Sequence, residues 1–193
     1  MYPFSTQNRT DFYNLMDVYL DAVFYPKLEE LSFKQEGHRL EIEDGTKDSD
    51  SAKLVYKGVV YNEMKGAMSS PDQVMVRALL NALYPDTTYS NNSGGEPSVI
   101  PSLTYQQLKD FHARHYHPSN AFFYTYGSLP LEKHLAFIQA RVLTRFDRID
   151  PKTDVISQPR WRAPRRSEFF YPIGKNEDPE KKCQVCLAWL CAD

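Results

Sequence analysis

The sequence of 193 residues lacks any run of about 18 apolar residues, the length that a helix needs to cross a bilayer. It also lacks an excess of charge of one sign, because 23 Lys and Arg residues stand against 25 Asp and Glu residues. The one basic cluster consists of arginines in a proline-containing stretch, at Arg160, Arg162, Arg165 and Arg166. Such a stretch is typical of a solvated linker. The sequence therefore predicts no membrane span and no nucleic-acid partner.

Cysteine is scarce, and the three residues present, Cys183, Cys186 and Cys191, lie close to the end of the sequence. An odd number of cysteines does not indicate a disulfide framework. Cys183 and Cys186 have the spacing of half a zinc site, but no second cysteine pair and no nearby histidine completes it. We interpret them as residues of a core strand.

The first residues lack the basic start and the apolar core of a signal peptide, and they do not form an Arg-rich amphipathic transit sequence. Together with the cysteine usage, this predicts an intracellular protein. A bacterial cytoplasm is the preferred compartment, and the matrix of an organelle is the alternative.

Hydrophobic residues make up 41% of the sequence and aromatic residues 13%, which is enough to bury a globular core. Residues 10–24 are predicted to form a helix because their apolar positions recur at three- and four-residue steps. These positions are Phe12, Leu15, Met16, Tyr19, Ala22 and Val23. Ser70 and Pro71 form a helix start signal, a capping hydroxyl followed by proline. Thr104 and Gln107 form a capping box, which predicts a helix from Tyr105 to about His115.

The other segments mix strand and loop patterns with helix patterns. Residues 53–68 fit both strand and helix, and we favour a helix from about Tyr56 onward. The turn formers and charges of residues 34–50 predict an exposed loop. Residues 87–101 predict a turn-rich loop that is long enough to suggest either mobility or function. Residues 121–126 predict a strand, as do residues 184–190.

Residues 130–146 predict a helix, and its periodicity places one set of apolar residues toward the core. This set consists of Leu131, Leu135, Ile138 and Val142. Between this helix and the last predicted strand, five prolines with little hydrophobic periodicity indicate a linker.

Glu63 is the most informative single residue. On a helix it would share a face with Val59 and Val60, and a carboxylate buried among apolar side chains needs a cation as partner. From spacing alone, an ion-paired Glu at the edge of the core is the simpler interpretation.

The histidines His112, His115 and His117 form the other candidate constellation. Two imidazoles three residues apart on a helix can share a metal ion. However, His117 precedes Pro118, which disfavours helical geometry at this position. We favour packing and capping roles, and an unrelated metal-binding module built on His112 and His115 stays open as a third hypothesis.

Six segments together resemble the presequence protease branch of the pitrilysin and insulinase peptidases. They are YPFSTQN (2–8), DVYLDA (17–22), QEG (35–37), KGVVYNEMKGA (57–67), SGG (93–95) and HYHPSN (115–120). In that family an inverted motif, His-x-x-Glu-His, supplies two zinc ligands and the catalytic base, and a downstream glutamate supplies the third ligand. The resemblance implies that Glu63 is this metal ligand. The inverted motif itself is absent, so no catalytic residue is predicted in this chain.

The resemblance implies an α+β, pitrilysin-like metallopeptidase domain with a largely antiparallel sheet and helices packed on it, missing its N-terminal part. Residues 1–147 would be the C-terminal portion of the first, catalytic domain. Residues 148–180 would be a linker, and residues 181–193 the first strand of a second peptidase-like domain. We expect Met1 to mark a truncation, an internal start or an incomplete gene sequence.

The implied function is that of a fragment of a zinc metalloendopeptidase that degrades short, unstructured peptides of the targeting-presequence type. Its cofactor would be one zinc ion in the complete enzyme, and its partners would be peptide substrates and the remaining peptidase domains. The alternative is a non-catalytic, peptidase-like interaction protein.

Overall fold

The structure is a computed structural model that describes residues 1–43 and 52–191. These residues form two compact units. The first consists of Met1–Glu29 and Thr104–Thr153, and the second consists of Glu30–Leu103 and the chain from Asp154 onward. Each unit is therefore built from two separate stretches of sequence.

The first unit is built around helix α1 (Arg9–Phe24), which confirms the helix predicted there. The helix begins at Asn8, whose side chain accepts a hydrogen bond from the Thr10 amide at 2.9 Å. Its buried stripe consists of Met16, Leu20 and Phe24, four residues apart. The stripe packs against Ile138 and Val142 to form the core of this unit.

Two of these core residues lie on or next to helix α6 (Leu131–Arg141), and the predicted inward face of this helix is partly wrong. Ile138 and Val142 are buried, but Leu131 and Leu135 are each 57% exposed. His134 is buried instead, at 5% exposure. Its ring nitrogen Nδ1 lies 3.3 Å from the Tyr13 hydroxyl, and this polar partner allows an imidazole to take an inward position.

Helix α5 (Tyr105–His115) also belongs to the first unit and has the predicted bounds. The capping box is confirmed, because the Thr104 side chain accepts from the Gln107 amide and Gln107 accepts from the Thr104 amide. The hydroxyl of Tyr105 donates to the Leu28 carbonyl at 2.6 Å. A short 3₁₀ turn, Pro118–Asn120, follows this helix.

The second unit opens with a short helix, α2 (Glu30–Ser32), and a π-helical turn, Phe33–Gly37. Strand β1 (Arg39–Ile42) then pairs with β2 (Leu54–Lys57) in an antiparallel register that aligns Leu40 with Tyr56. The prediction of an exposed loop over residues 34–50 is therefore wrong up to residue 42, and residues 44–50 lie outside the described residues.

Helix α3 (Val59–Ala67) begins directly after β2. The predicted helix start at Tyr56 is wrong, because residues 54–57 form strand backbone bonds with β1 and Gly58 separates the two elements. Helix α4 (Pro71–Leu83) follows, and the predicted start signal is confirmed, since the Ser70 side chain caps the helix and Pro71 is its first residue.

The predicted fold class needs correction in one respect. Within residues 1–43 and 52–191 the sheet has two strands, so the domain is helical with a small antiparallel sheet rather than largely sheet. Residues 121–126 and 184–190 lack strand pairing in the described chain. Their β-forming side chains favour an extended backbone, but a ladder needs a second strand to accept and donate its hydrogen bonds. The predicted domain bounds stay predictions.

The extended segment 121–126 leaves one aromatic face uncovered. Phe122, Tyr124 and Tyr126 are 91%, 76% and 91% exposed. Phe123, which alternation places on the opposite face, lies with its ring 6.0 Å from that of Phe24 in the core. We call residues 121–126 the aromatic segment.

Among the described residues, none of the helices has the length and the apolar character that crossing a membrane requires.

Candidate functional site

Glu63 lies in the middle of α3, and its side chain is exposed. The apolar neighbours that share its face are exposed as well, Val59 to 54% and Val60 to 38%. The spacing had suggested a buried carboxylate, and this prediction is wrong because the carboxylate is exposed. In the described part of the chain it forms no ion pair or hydrogen bond. Glu63 is thus an acceptor-only group with both oxygens available to a cation.

The charged residues that precede α3 are engaged with each other. Lys57, at the end of β2, has its ammonium nitrogen 3.5 Å from a carboxylate oxygen of Glu41 on β1. Arg39 also binds Glu41, and this hydrogen bond holds the pKa of the Glu41 carboxyl below its usual value. These cations stabilise the charge of Glu41 and leave Glu63 to other partners.

The three clustered histidines have separate structural contacts. His112 donates from Nε2 to the Val23 carbonyl at 2.9 Å, and its ring stacks on Tyr116. The ring of His115 lies 4.4 Å from that of Phe111. His117 accepts a hydrogen bond at Nδ1 from the Ser119 amide at 3.1 Å and so caps the 3₁₀ turn. These contacts confirm the packing and capping interpretation.

The described residues contain no group of three His, Cys, Asp or Glu side chains that could hold a metal ion. Glu63 is accordingly one candidate ligand without partners in that part of the chain. The cysteines do not provide a second site. Cys183, Cys186 and Cys191 are free thiols on the surface, so the interpretation of Cys183 and Cys186 as core-strand residues is wrong. Residues 184–190 pair with no strand in the described chain, so no neighbouring strand shields these cysteines from solvent.

Sequence reasoning missed the contacts that hold α3 in place. Gly58, Met64 and Gly94 meet neighbouring parts of the second unit at close range. Only the resemblance marked these positions, since Gly58 and Met64 lie in KGVVYNEMKGA and Gly94 in SGG. A glycine inside a β-forming pattern is a signal of close backbone approach that could have identified Gly58.

Comparison with known proteins gives two results. Residues 102–193 match the family model described as the peptidase M16 inactive domain, a range that does not include Glu63. Over its whole length the chain is 54% identical to the mitochondrial presequence protease of Xenopus laevis and 49% identical to that of Mus musculus. It is 41% identical to the protein HypA of Clostridium perfringens.

Each of these alignments covers 100% of this chain but only 19%, 18% and 20% of the respective relative. The chain thus spans about a fifth of the length of the curated relatives it matches. Most of the length of each relative therefore has no counterpart in this chain.

Proposed function

Because the chain belongs to the presequence protease branch of the M16 peptidases, we propose that it is part of a zinc metalloendopeptidase and that Glu63 supplies one zinc ligand. The observation that carries this proposal is the exposed carboxylate of Glu63 on α3, which has no ion-pair or hydrogen-bond partner within residues 1–43 and 52–191. A carboxylate oxygen is an established zinc ligand, and an exposed one is open to a metal that other residues also hold.

The donor set of this chain fits one position of such a site. Catalytic zinc is normally held by three protein ligands and keeps a further position open for water. Since the sequence contains no His-x-x-Glu-His, the other ligands and the general base would come from outside it. When bound, the zinc would activate the attacking water. The role of this chain would be to present Glu63 to the metal.

The substrates that we propose are short, unstructured peptides, because relatives that align with the full chain are named presequence proteases. The proposed partners also include the remaining peptidase domains of the complete enzyme. We propose an organelle as the compartment, since the identity to the mitochondrial relative of Xenopus laevis is 54%, compared with 41% to the protein HypA of Clostridium perfringens.

A non-catalytic, peptidase-like interaction protein is the second candidate. It is favoured by one observation, the match of residues 102–193 to a domain that is described as inactive. Such a protein would bind peptides through the same fold without hydrolysing them.

A chimera tests the proposal. In the Xenopus laevis presequence protease, the 196 aligned residues are replaced by this chain. We expect the chimera to retain zinc, measured by atomic absorption, and to cleave a fluorogenic presequence peptide. Glu63→Gln should remove both properties and leave the circular dichroism spectrum unchanged, because an amide is a weak zinc ligand.

The matched control is Glu132→Gln, an exposed glutamate in the first turn of α6, which should change neither property. If the Glu63→Gln chimera kept its zinc and its activity, the proposed role of Glu63 would be wrong. If the unsubstituted chimera bound the peptide without cleaving it, the non-catalytic alternative would be supported.

A further inference from the structure

The start of α3 lies against the backbone of an earlier part of the second unit. A Cβ atom added to Gly58 would overlap the carbonyl oxygen of Gly37 and lie 2.7 Å from its carbonyl carbon. It would also lie 2.8 Å from the Cα of His38. All three are backbone atoms, so a change of rotamer cannot relieve the overlap. Any side chain at position 58 must therefore move the helix start away from the π-helical turn.

His38, whose backbone faces Gly58, is itself fixed by contacts of its side chain. His38 donates from Nε2 to the Leu103 carbonyl at 2.8 Å. Its ring meets the rings of Phe33 and Tyr56 at 5.3 Å and 6.5 Å between centroids. The backbone that faces Gly58 is thus held from three directions and cannot easily yield to a side chain.

A second glycine, Gly94, lies against α3 at Met64, the residue next to Glu63. A Cβ atom added to Gly94 would overlap Sδ of Met64 and lie 2.8 Å from its terminal methyl carbon. The thioether is the far end of a flexible side chain, so here the Met64 side chain would move before the backbone does. The contact fixes how Met64 packs, and its loss would loosen the middle of the helix.

The loop that carries Gly94 is tied down by its own contacts. Asn92 donates from its side-chain amide to the Gly95 carbonyl at 2.8 Å. Glu96 forms an ion pair with Arg77 of α4. Gly95 has φ +91° and faces the side chain of Ile100, which is 3% exposed. Met64 therefore packs on a loop that is anchored to α4 and to a buried residue.

We propose that Gly58 and Gly94 are positioning residues that hold α3 at two points and so fix where Glu63 is presented. Gly66 lies on the same helix, but a Cβ atom added to it would have nothing within 4 Å, so Gly66 does not position the helix. The contacts themselves do not depend on a metal, but their purpose rests on the proposed role of Glu63. A carboxylate that is one of several zinc ligands must be held close to its productive position to contribute affinity.

The first experiment measures amide hydrogen exchange of residues 59–67 in the 193-residue chain. We expect Gly58→Ala to speed exchange by about tenfold or more, because the exchange rate rises in proportion to the equilibrium constant for local opening of the helix. Gly94→Ala should speed it less, and in a Met64→Ala background it should have no further effect, since the clashing thioether is gone. Gly66→Ala, the matched control, should leave exchange unchanged or slow it, because alanine favours helix over glycine.

The second experiment measures zinc affinity in the chimera described above. We expect Gly58→Ala to weaken zinc binding by about 10–100-fold, the range found when outer residues that orient a ligand are changed. Gly94→Ala should weaken it less, and not at all in the Met64→Ala background.

The outcomes separate this inference from the proposed function. Zinc retention by Glu63→Gln contradicts the proposed function, and the exchange measurement then still decides whether the two glycines hold α3. Unchanged exchange in both glycine variants overturns the inference, and so does faster exchange with unchanged zinc affinity. If Gly58→Ala fails to fold, the Gly94 and Met64 variants decide alone.

Discussion

The phenolic oxygens of Tyr2 and Tyr116 lie 2.6 Å apart, which joins the first residues of the chain to the end of α5 within the first unit. The two rings meet nearly edge to face, with centroids 6.3 Å apart. The hydrogen bond to Tyr2, together with partial burial, raises the pKa of Tyr116 to about 12. The neutral form of Tyr116 is therefore stabilised by folding.

This relationship predicts a loss of stability at alkaline pH. The folded pKa of Tyr116 lies above the value of about 10 for an unfolded tyrosine. The stabilising effect is thus complete below about pH 10 and is lost as the pH rises toward about 12. Tyr2→Phe should lower the pKa of Tyr116, measured by ultraviolet titration, and reduce this loss. Tyr126→Phe, at a 91% exposed position, is the control. An unchanged high-pH titration in Tyr2→Phe would contradict the assignment.

A second prediction concerns the core of the first unit. Ile138→Ala should lower the free energy of unfolding by about 2–5 kcal/mol, because it removes buried methyl groups that pack on α1 and leaves a cavity. Leu135→Ala, one turn earlier on α6 and 57% exposed, should change it by no more than about 0.5 kcal/mol. Urea denaturation of both variants checks this. Equal losses would mean that α6 faces the core as its periodicity alone suggested.

A third prediction concerns the aromatic segment. Its backbone pairs with no strand of the described chain, and its aromatic face is exposed. The segment contains no charged residue, so it is a template for pairing with another strand. The 193-residue chain should therefore self-associate in a concentration-dependent way, as seen by analytical ultracentrifugation. Tyr124→Lys should shift the equilibrium toward monomer, whereas Phe170→Lys, at a 92% exposed position elsewhere, should not. A monodisperse, thermally stable monomer would contradict this prediction.

A fourth prediction concerns the chain on its own. It should hold zinc weakly and hydrolyse no peptide, since Glu63 would supply one ligand in the proposed site, where catalytic zinc normally has three. The missing general base removes a further contribution of about 10²–10⁴-fold to the rate. Isothermal titration with zinc and a fluorogenic peptide assay check these points. Chelator-sensitive cleavage that Glu63→Gln abolishes in the isolated chain would show that the site is more complete than its residues indicate.

Local signals in the sequence predicted the helices well. The capping box at Thr104 and the Ser70-Pro71 start are satisfied by contacts within three residues, so the sequence alone contains the information. The periodicity of residues 10–24 was sufficient for the existence of α1 but not for its inner stripe. Ala22 is exposed, and the stripe follows Met16, Leu20 and Phe24.

Features that depend on distant partners were predicted poorly. The side chains of residues 121–126 follow a strand pattern, but the predicted strand does not form there, because a strand needs another strand beside it. The inward place of His134 depends on Tyr13, which lies far away in sequence. For Glu63, the sequence indicated the helix and the resemblance indicated the role, whereas the exposure of its face and the glycine contacts needed coordinates.

The discontinuous make-up of the first unit has a consequence for synthesis on the ribosome. Helix α1 is synthesised before Ile138 and Val142, which cover its buried stripe, and the whole of Glu30–Leu103 is synthesised between them. Until then, the apolar face of α1 is open to chaperones and to wrong partners. The hairpin of β1 and β2 makes contacts that are close in sequence, so it can form while α1 still lacks its packing partners. In nascent chains stalled after residue 103, the hairpin should therefore resist proteolysis, whereas α1 should still be cleaved.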